Sequence, residues 1–166
     1  MSFSLLIVDD DKNLLQSMKR ALKRENYRLY FAENGRSALE RLDSIQVDMV
    51  ISDYQMPGMD GVRLLQEIKA RYPEVLTIMM TGLEDLEVAV KAINKAGVYK
   101  FITKPWDNED LRITVRRALE SLQVIRERDR LLQKIKARDV ALEKLERQYP
   151  GISKVVRDEE GNIISQ

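Results

Sequence analysis

Five short apolar runs, each followed by a stretch of helical periodicity, constrain this chain more than any other feature of it. Leu5-Leu6-Ile7-Val8, Arg28 to Phe31, Met49 to Ile51, Leu76 to Met80 and Tyr99 to Ile102 have the length and character of strands in a sheet. Between them apolar residues recur at helical spacing. The first set is Leu14, Leu15, Met18, Ala21 and Leu22, and the second is Ala38, Leu39 and Leu42. Val62, Leu64, Leu65 and Ile68 form the third, and Val88, Ala89, Ala92 and Ile93 the fourth. Asn34-Gly35, Pro73 and Gly97 punctuate the alternation. Strands and helices in strict turn predict an α/β fold, a doubly wound five-stranded parallel sheet covered on both faces.

Composition removes several classes of function. The chain of 166 residues suits one domain with a sizeable core and some surplus. Lys plus Arg is 28 and Asp plus Glu is 27, so no net field recruits nucleic acid or a membrane surface. Cysteine and histidine are both absent, which excludes thiol chemistry, disulfides, imidazole catalysis and imidazole metal ligands. Met1-Ser2-Phe3-Ser4 has no basic leader pattern and no apolar run reaches membrane length, so a cytoplasmic protein is expected.

Chemistry-bearing residues gather where the predicted strands end. Asp9 and Asp10 close the first strand, Asp53 the third and Thr81 the fourth, and Lys104 follows the fifth. Parallel strands bring these ends to one edge, where open α/β sheets bind ligands. Asp53 alone reads equally well as a carboxylate capping a strand-to-loop turn, with Pro57-Gly58 breaking the chain and Gly61 opening the next helix. Three clustered carboxylates repel one another, and a hard cation such as Mg²⁺, with oxygen ligands, is their natural neutraliser. Lys104 supplies a point charge for a phosphoryl oxygen, Thr81 a hydroxyl, and Gly82 allows close backbone approach. Together these describe phosphoryl transfer onto Asp53, driven by positioning and charge neutralisation.

The last helix, capped by Asp107 or Asn108, has no early stop. No Gly or Pro occurs between Trp106 and Pro150, so one helix can run about 40 residues, or roughly 60 Å. Leu111, Val115, Ala118 and Leu119 suit packing on the sheet, but the charged run Arg126-Glu127-Arg128-Asp129-Arg130 cannot face a globular core. Beyond it Leu131, Ile135, Leu142, Leu145 and Tyr149 fall at heptad spacing, interrupted by Arg138. A solvated single helix held by local ion pairs is one reading. A short coiled coil is preferred, because isolated helices of this length are only marginally stable. Tyr149-Pro150-Gly151 ends the helix, and the residues after it suit a small hairpin or a frayed tail. The expected organisation is a domain over 1–120, a helical extension over 121–149 and a short hairpin or tail over 150–166.

Residues 3 to about 120 resemble the receiver domain of two-component response regulators. The resemblance rests on Val8-Asp9-Asp10, Asp53 with Met56-Pro57-Gly58-Met59-Asp60-Gly61, Thr81-Gly82 and Lys104-Pro105, in that order and spacing. It implies the flavodoxin-like strand order 2-1-3-4-5. It also implies that Asp53 accepts a phosphoryl group from a sensor histidine kinase or phosphotransfer protein, the domain assisting its own phosphorylation and dephosphorylation. Asp10 would bind Mg²⁺ directly, Asp9 largely through water, and the backbone carbonyl of Gln55 would complete the protein ligands beside Asp53. Lys104, Thr81 and the Gly82 backbone would contact the phosphoryl group, and Phe101 occupies the position of the family's switch aromatic. The Lys104-Pro105 bond is expected to be cis. Asp11 fits a helix cap better than a metal ligand.

The resemblance does not extend past residue 120, where the output lies. One reading is a phosphorylation-switched module whose coiled coil pairs with itself or with a partner protein. A second is the regulatory front of a longer response regulator. Lys104-Pro105-Trp106-Asp107 running into a long helix is similar to receivers placed ahead of cyclic-di-GMP phosphodiesterase domains. Nucleic-acid binding through Arg126, Arg128, Arg130, Lys134, Lys136 and Arg138 is disfavoured, because acidic residues interleave with them and no aromatic platform is present.

Overall fold

The computed structural model describes residues 2–152, apart from the side chain of Ile93. Five strands, β1 (Ser4–Val8), β2 (Arg28–Ala32), β3 (Met49–Asp53), β4 (Leu76–Gly82) and β5 (Lys100–Lys104), alternate with α1 (Lys12–Leu22), α2 (Gly35–Leu42), α3 (Gly61–Arg71), α4 (Leu86–Ala96) and α5 (Asn108–Gln148). All ladders are parallel and the order is β2-β1-β3-β4-β5, as the alternation and the resemblance led us to expect.

The period-two alternation of the strands sorts their side chains between two cores. Leu5, Ile7, Met49, Ile51, Ile78 and Met80 face α1 and the first part of α5, meeting Leu15, Met18, Leu111, Val115 and Leu119. Leu6, Val8, Val50 and Met79 face the opposite way, onto Ala38, Leu39, Leu64, Leu65, Ile68 and Ala89. Asp11 caps α1, accepting from the Asn13 and Leu14 N–H groups, and Asn34 and Asp60 cap α2 and α3. Asp107 caps α5, accepting from Glu109 and Asp110 N–H at 2.8 and 3.1 Å.

Two details depart from the pattern read in the sequence. Val88 is 59% exposed, although its spacing placed it with Ala89 on the inner face of α4. Among the α4 side chains described, Ala89 and Ala96 are buried in the core on this face, whereas Val88 turns outward. The strand ends also run further than the apolar runs. Thr81 pairs with Thr103 and Gly82 with Lys104, so these polar residues belong to β4 and β5 rather than to the loops beyond. Backbone pairing continues past the last apolar residue because a ladder needs only N–H and C=O groups.

Helix α5 spans 41 residues. The chain divides into two compact units with the boundary after Leu122, inside this helix. After Gln148, Gly151 adopts φ +90° and its N–H donates to Glu146 Oε1 at 2.6 Å. The hairpin or tail expected over 150–166 lies almost wholly outside the described residues. Among the described residues no helix is long and apolar enough to cross a membrane.

Candidate functional site

Each acidic residue of the site is delivered by a strand end. Asp9 follows Val8 directly and its N–H donates to Ala32 O at 3.1 Å, which ties the β1 end to the edge strand β2. Asp9 Oδ1 accepts from Asp11 N–H at 2.8 Å, so the turn into α1 orients the carboxylate. Asp53 is the last residue of β3, in ladder register with Met80. Lys104, the last residue of β5, reaches across the edge. Its Nζ donates to Asp9 Oδ2 at 3.0 Å and lies 2.9 Å from Asp53 Oδ1.

Asp9 and Asp53 are buried whereas Asp10 is exposed, and one oxygen from each of the three lies within 4.8 Å of the others. Burial pushes the Asp9 carboxyl above the usual carboxylate range, against the opposing pull of Asp11 N–H and Lys104. Burial likewise raises Asp53, and the charge of Asp9 adds to it, while the bond to Lys104 works the other way. For Lys104 burial acts downward, but its bonds to Asp53 and Asp9 outweigh this and the net shift is upward. One ammonium therefore leaves the pocket with excess negative charge. An oxygen-only donor set of this kind fits a hard divalent cation such as Mg²⁺.

Thr81 is buried and its Oγ1 donates to Gly82 O at 3.3 Å. Gly82 has φ −70°, and a Cβ added there would meet nothing within 4 Å, so open space adjoins its backbone. Gln55 is exposed in the loop two residues past Asp53. Phe101 is 37% exposed on β5, in register with Met79 and two residues before the ladder partner of Thr81. The Lys104-Pro105 peptide is cis.

Sequence reasoning treated Gly61 as a helix opener only. A Cβ at Gly61 would sit 2.0 Å from the Asp53 carbonyl oxygen, and the Gly61 N–H donates to Tyr54 O at 2.9 Å. The start of α3 is therefore packed directly on the backbone that carries Asp53. The signal was present in Asp60-Gly61, a cap followed by the one residue without a Cβ, but the partner of that close approach is not legible from spacing.

Fold and site together define a flavodoxin-like α/β protein with an acidic pocket at the carboxyl edge of its sheet. Residues 5–116 match the response regulator receiver domain, and the chain belongs to that family. It is 30% identical to the regulatory protein AtoC of Escherichia coli K12 over 162 residues, 98% of this chain and 35% of that protein. It is 38% identical to the DNA-binding transcriptional regulator NtrC of the same organism over 117 residues, 70% of this chain and 25% of that one. The chain thus spans about a third or less of these relatives. The signal receiver domain of an HD domain-containing protein from Pseudomonas fluorescens Pf-5 superposes with a TM-score of 0.72 at 39% identity, over 76% of this chain and 93% of that one. NtrX from Brucella abortus gives 0.74 at 33% identity, over 79% of this chain and 30% of that one. Phosphoryl acceptance is the general function of receiver domains, and histidine kinases or phosphotransfer proteins are the family's partners.

Proposed function

We propose that Asp53 is the phosphoacceptor of this receiver. The observation that carries the reading is the Lys104 ammonium held between Asp9 Oδ2 and Asp53 Oδ1 at 3.0 and 2.9 Å, with Asp10 beside them. An Asp53 oxygen attacks the donor phosphorus; a new P–O bond forms and the bond to the donor imidazole breaks. Lys104 neutralises charge on the phosphoryl oxygens. The Thr81 hydroxyl turns from Gly82 O to donate to one of them, and the Gly82 N–H contacts another. Asp10, Asp9, Asp53 and the Gln55 carbonyl are the residues that would hold Mg²⁺, which when bound polarises and neutralises the phosphoryl group. A groove lined by Leu14 and Trp106, with Asn13 and Arg20, adjoins Lys104 and suits the approach of a protein donor.

Movement of Thr81 is felt on β5 through its ladder partner Thr103, and Phe101 repacks into the space released. The helical extension then pairs, with a second copy or with a partner protein. Mass measurement of the intact chain with acetyl phosphate and Mg²⁺ tests the acceptor. One added phosphoryl group mapped to Asp53 and absent in Asp53→Asn is expected; modification undiminished in that variant would overturn the assignment.

A second reading has its own support. AtoC matches through 162 residues yet is almost three times as long as the match. In that reading these residues are the regulatory front of a longer protein, with a cyclic-di-GMP phosphodiesterase or another output domain following. Sequencing the gene past codon 166 decides it.

A further inference from the structure

We propose that the helix beyond Leu122 pairs with a second copy of this chain, parallel and in register, and that Asp139 of each copy sets the register against Lys134 and Arg138 of the other. This deepens the reading of the extension as a pairing helix and is independent of the chemistry at Asp53.

Leu131, Ile135, Leu142, Leu145 and Tyr149 stand 40–62% exposed. Their spacing of four, seven, three and four residues places Ile135, Leu142 and Tyr149 at a and Leu131, Arg138 and Leu145 at d of a heptad. Lys134 then falls at g and Asp139 at e, the two positions that flank the seam. In a parallel pair the g residue of one helix faces the e residue five positions later on the other. Lys134 therefore meets Asp139 of the other copy, and two-fold symmetry makes the contact twice. Arg138 at d lies beside e of the other helix, so the same Asp139 answers the basic residue that interrupts the apolar stripe.

The charged run just before the stripe is paired within its own helix. Glu127 is held by Arg130 and Asp129 by Arg128 within the chain, at 2.6 and 2.8 Å. Among the described residues the side chains of Arg138 and Asp139 have no such partner. A stretch that carries both halves of its flanking ion pairs is complementary to itself, which a foreign partner would not require. The antiparallel arrangement that overlaps most of the same stripe faces e against e. It brings the two Asp139 carboxylates together and is disfavoured by their repulsion.

The chain has no cysteine, so single cysteines report the arrangement without background. The 166-residue chain carrying Leu131→Cys or Leu145→Cys would be oxidised mildly, with and without acetyl phosphate and Mg²⁺. Parallel pairing predicts that each variant cross-links to itself in at least one of these states. Two charge variants are then built on Leu145→Cys: Asp139→Lys, and Lys134→Glu with Arg138→Glu. Each alone should cross-link roughly ten-fold less, because attraction at the flanking positions has become repulsion, and an equimolar mixture of the two should recover. Absence of self-cross-linking in all states would overturn the proposal, as would cross-linking of Leu145→Cys only in a mixture with Ile135→Cys, the residue it faces in the antiparallel arrangement. Charge variants that self-pair as well as their parent would overturn it too. Phosphorylation of Asp53 is read by mass in the same samples, so failure there would defeat the acceptor reading alone.

Discussion

The two parts of α5 are made of the same kind of sequence and meet opposite fates. Up to Leu122 its apolar residues are buried: Leu111, Val115, Ala118, Leu119 and Leu122 are at most 4% exposed. Beyond Leu122 a stripe of similar residues lies open, with Leu131 at 48% and Ile135 at 55%. The first stripe is covered because Ile7, Ile51, Ile78 and Met18 occupy the facing surface. Within its own unit the second stripe meets no such surface. An apolar repeat thus states that a helix face is to be covered, and leaves open whether by its own chain or by another.

One charge placed in each stripe separates the two fates most clearly. Val115→Asp buries a carboxylate among Met18, Leu22 and Ile102 without a partner, and should destabilise the domain by about 3–5 kcal/mol, seen as a collapse of the thermal transition. Leu142→Glu should leave that transition within about 0.5 kcal/mol while abolishing self-association in sedimentation. A large stability loss in Leu142→Glu would show that the outer stripe belongs to the domain core after all.

A smaller effect separates two glycines of the domain. Gly61→Ala drives a methyl group into the Asp53 carbonyl and should cost about 1–3 kcal/mol, with slower phosphorylation of Asp53 by acetyl phosphate. Gly82→Ala, in open space at φ −70°, should leave apo stability unchanged. Denaturant titration of both variants checks this, and equal losses would remove the close approach as the cause.

The third test uses pH on the metal-free protein in chelator. Asp9 and Asp53 titrate above their ordinary value of 3.8 in the fold, chiefly because they are buried. Each therefore contributes stability that is complete below 3.8 and is lost as pH rises through its raised value. Lys104 is also raised, so its contribution is complete below 10.5 and is lost only above that. Asp53→Asn should be more stable than wild type at neutral pH, the advantage shrinking as pH falls toward 4. An advantage that grows on acidification would contradict the assigned direction.

The smallest expected effect is at Tyr99. Tyr99 Oη donates to Ser121 Oγ at 2.9 Å, joining the residue just before β5 to the last buried turn of α5. The bond is exposed, so Tyr99→Phe should cost no more than about 1 kcal/mol in chemical denaturation and leave helix pairing intact.

By itself the sequence determined the alternation of strands and helices, the caps at Asp11 and Asp107, and the gathering of Asp9, Asp10, Asp53, Thr81 and Lys104 at one sheet edge. These are local signals: side-chain periodicity, capping chemistry and strand direction each act within a few residues. The strand order came from resemblance to a family rather than from pattern. Only the tertiary structure decided that the Lys104 ammonium reaches both Asp9 and Asp53, that Gly61 abuts the Asp53 carbonyl, that Val88 turns outward, and that the covered part of α5 ends at Leu122. Each of those depends on the register of ladders and on the separation of packed layers. Both are set by residues far apart in the chain, which no local periodicity encodes.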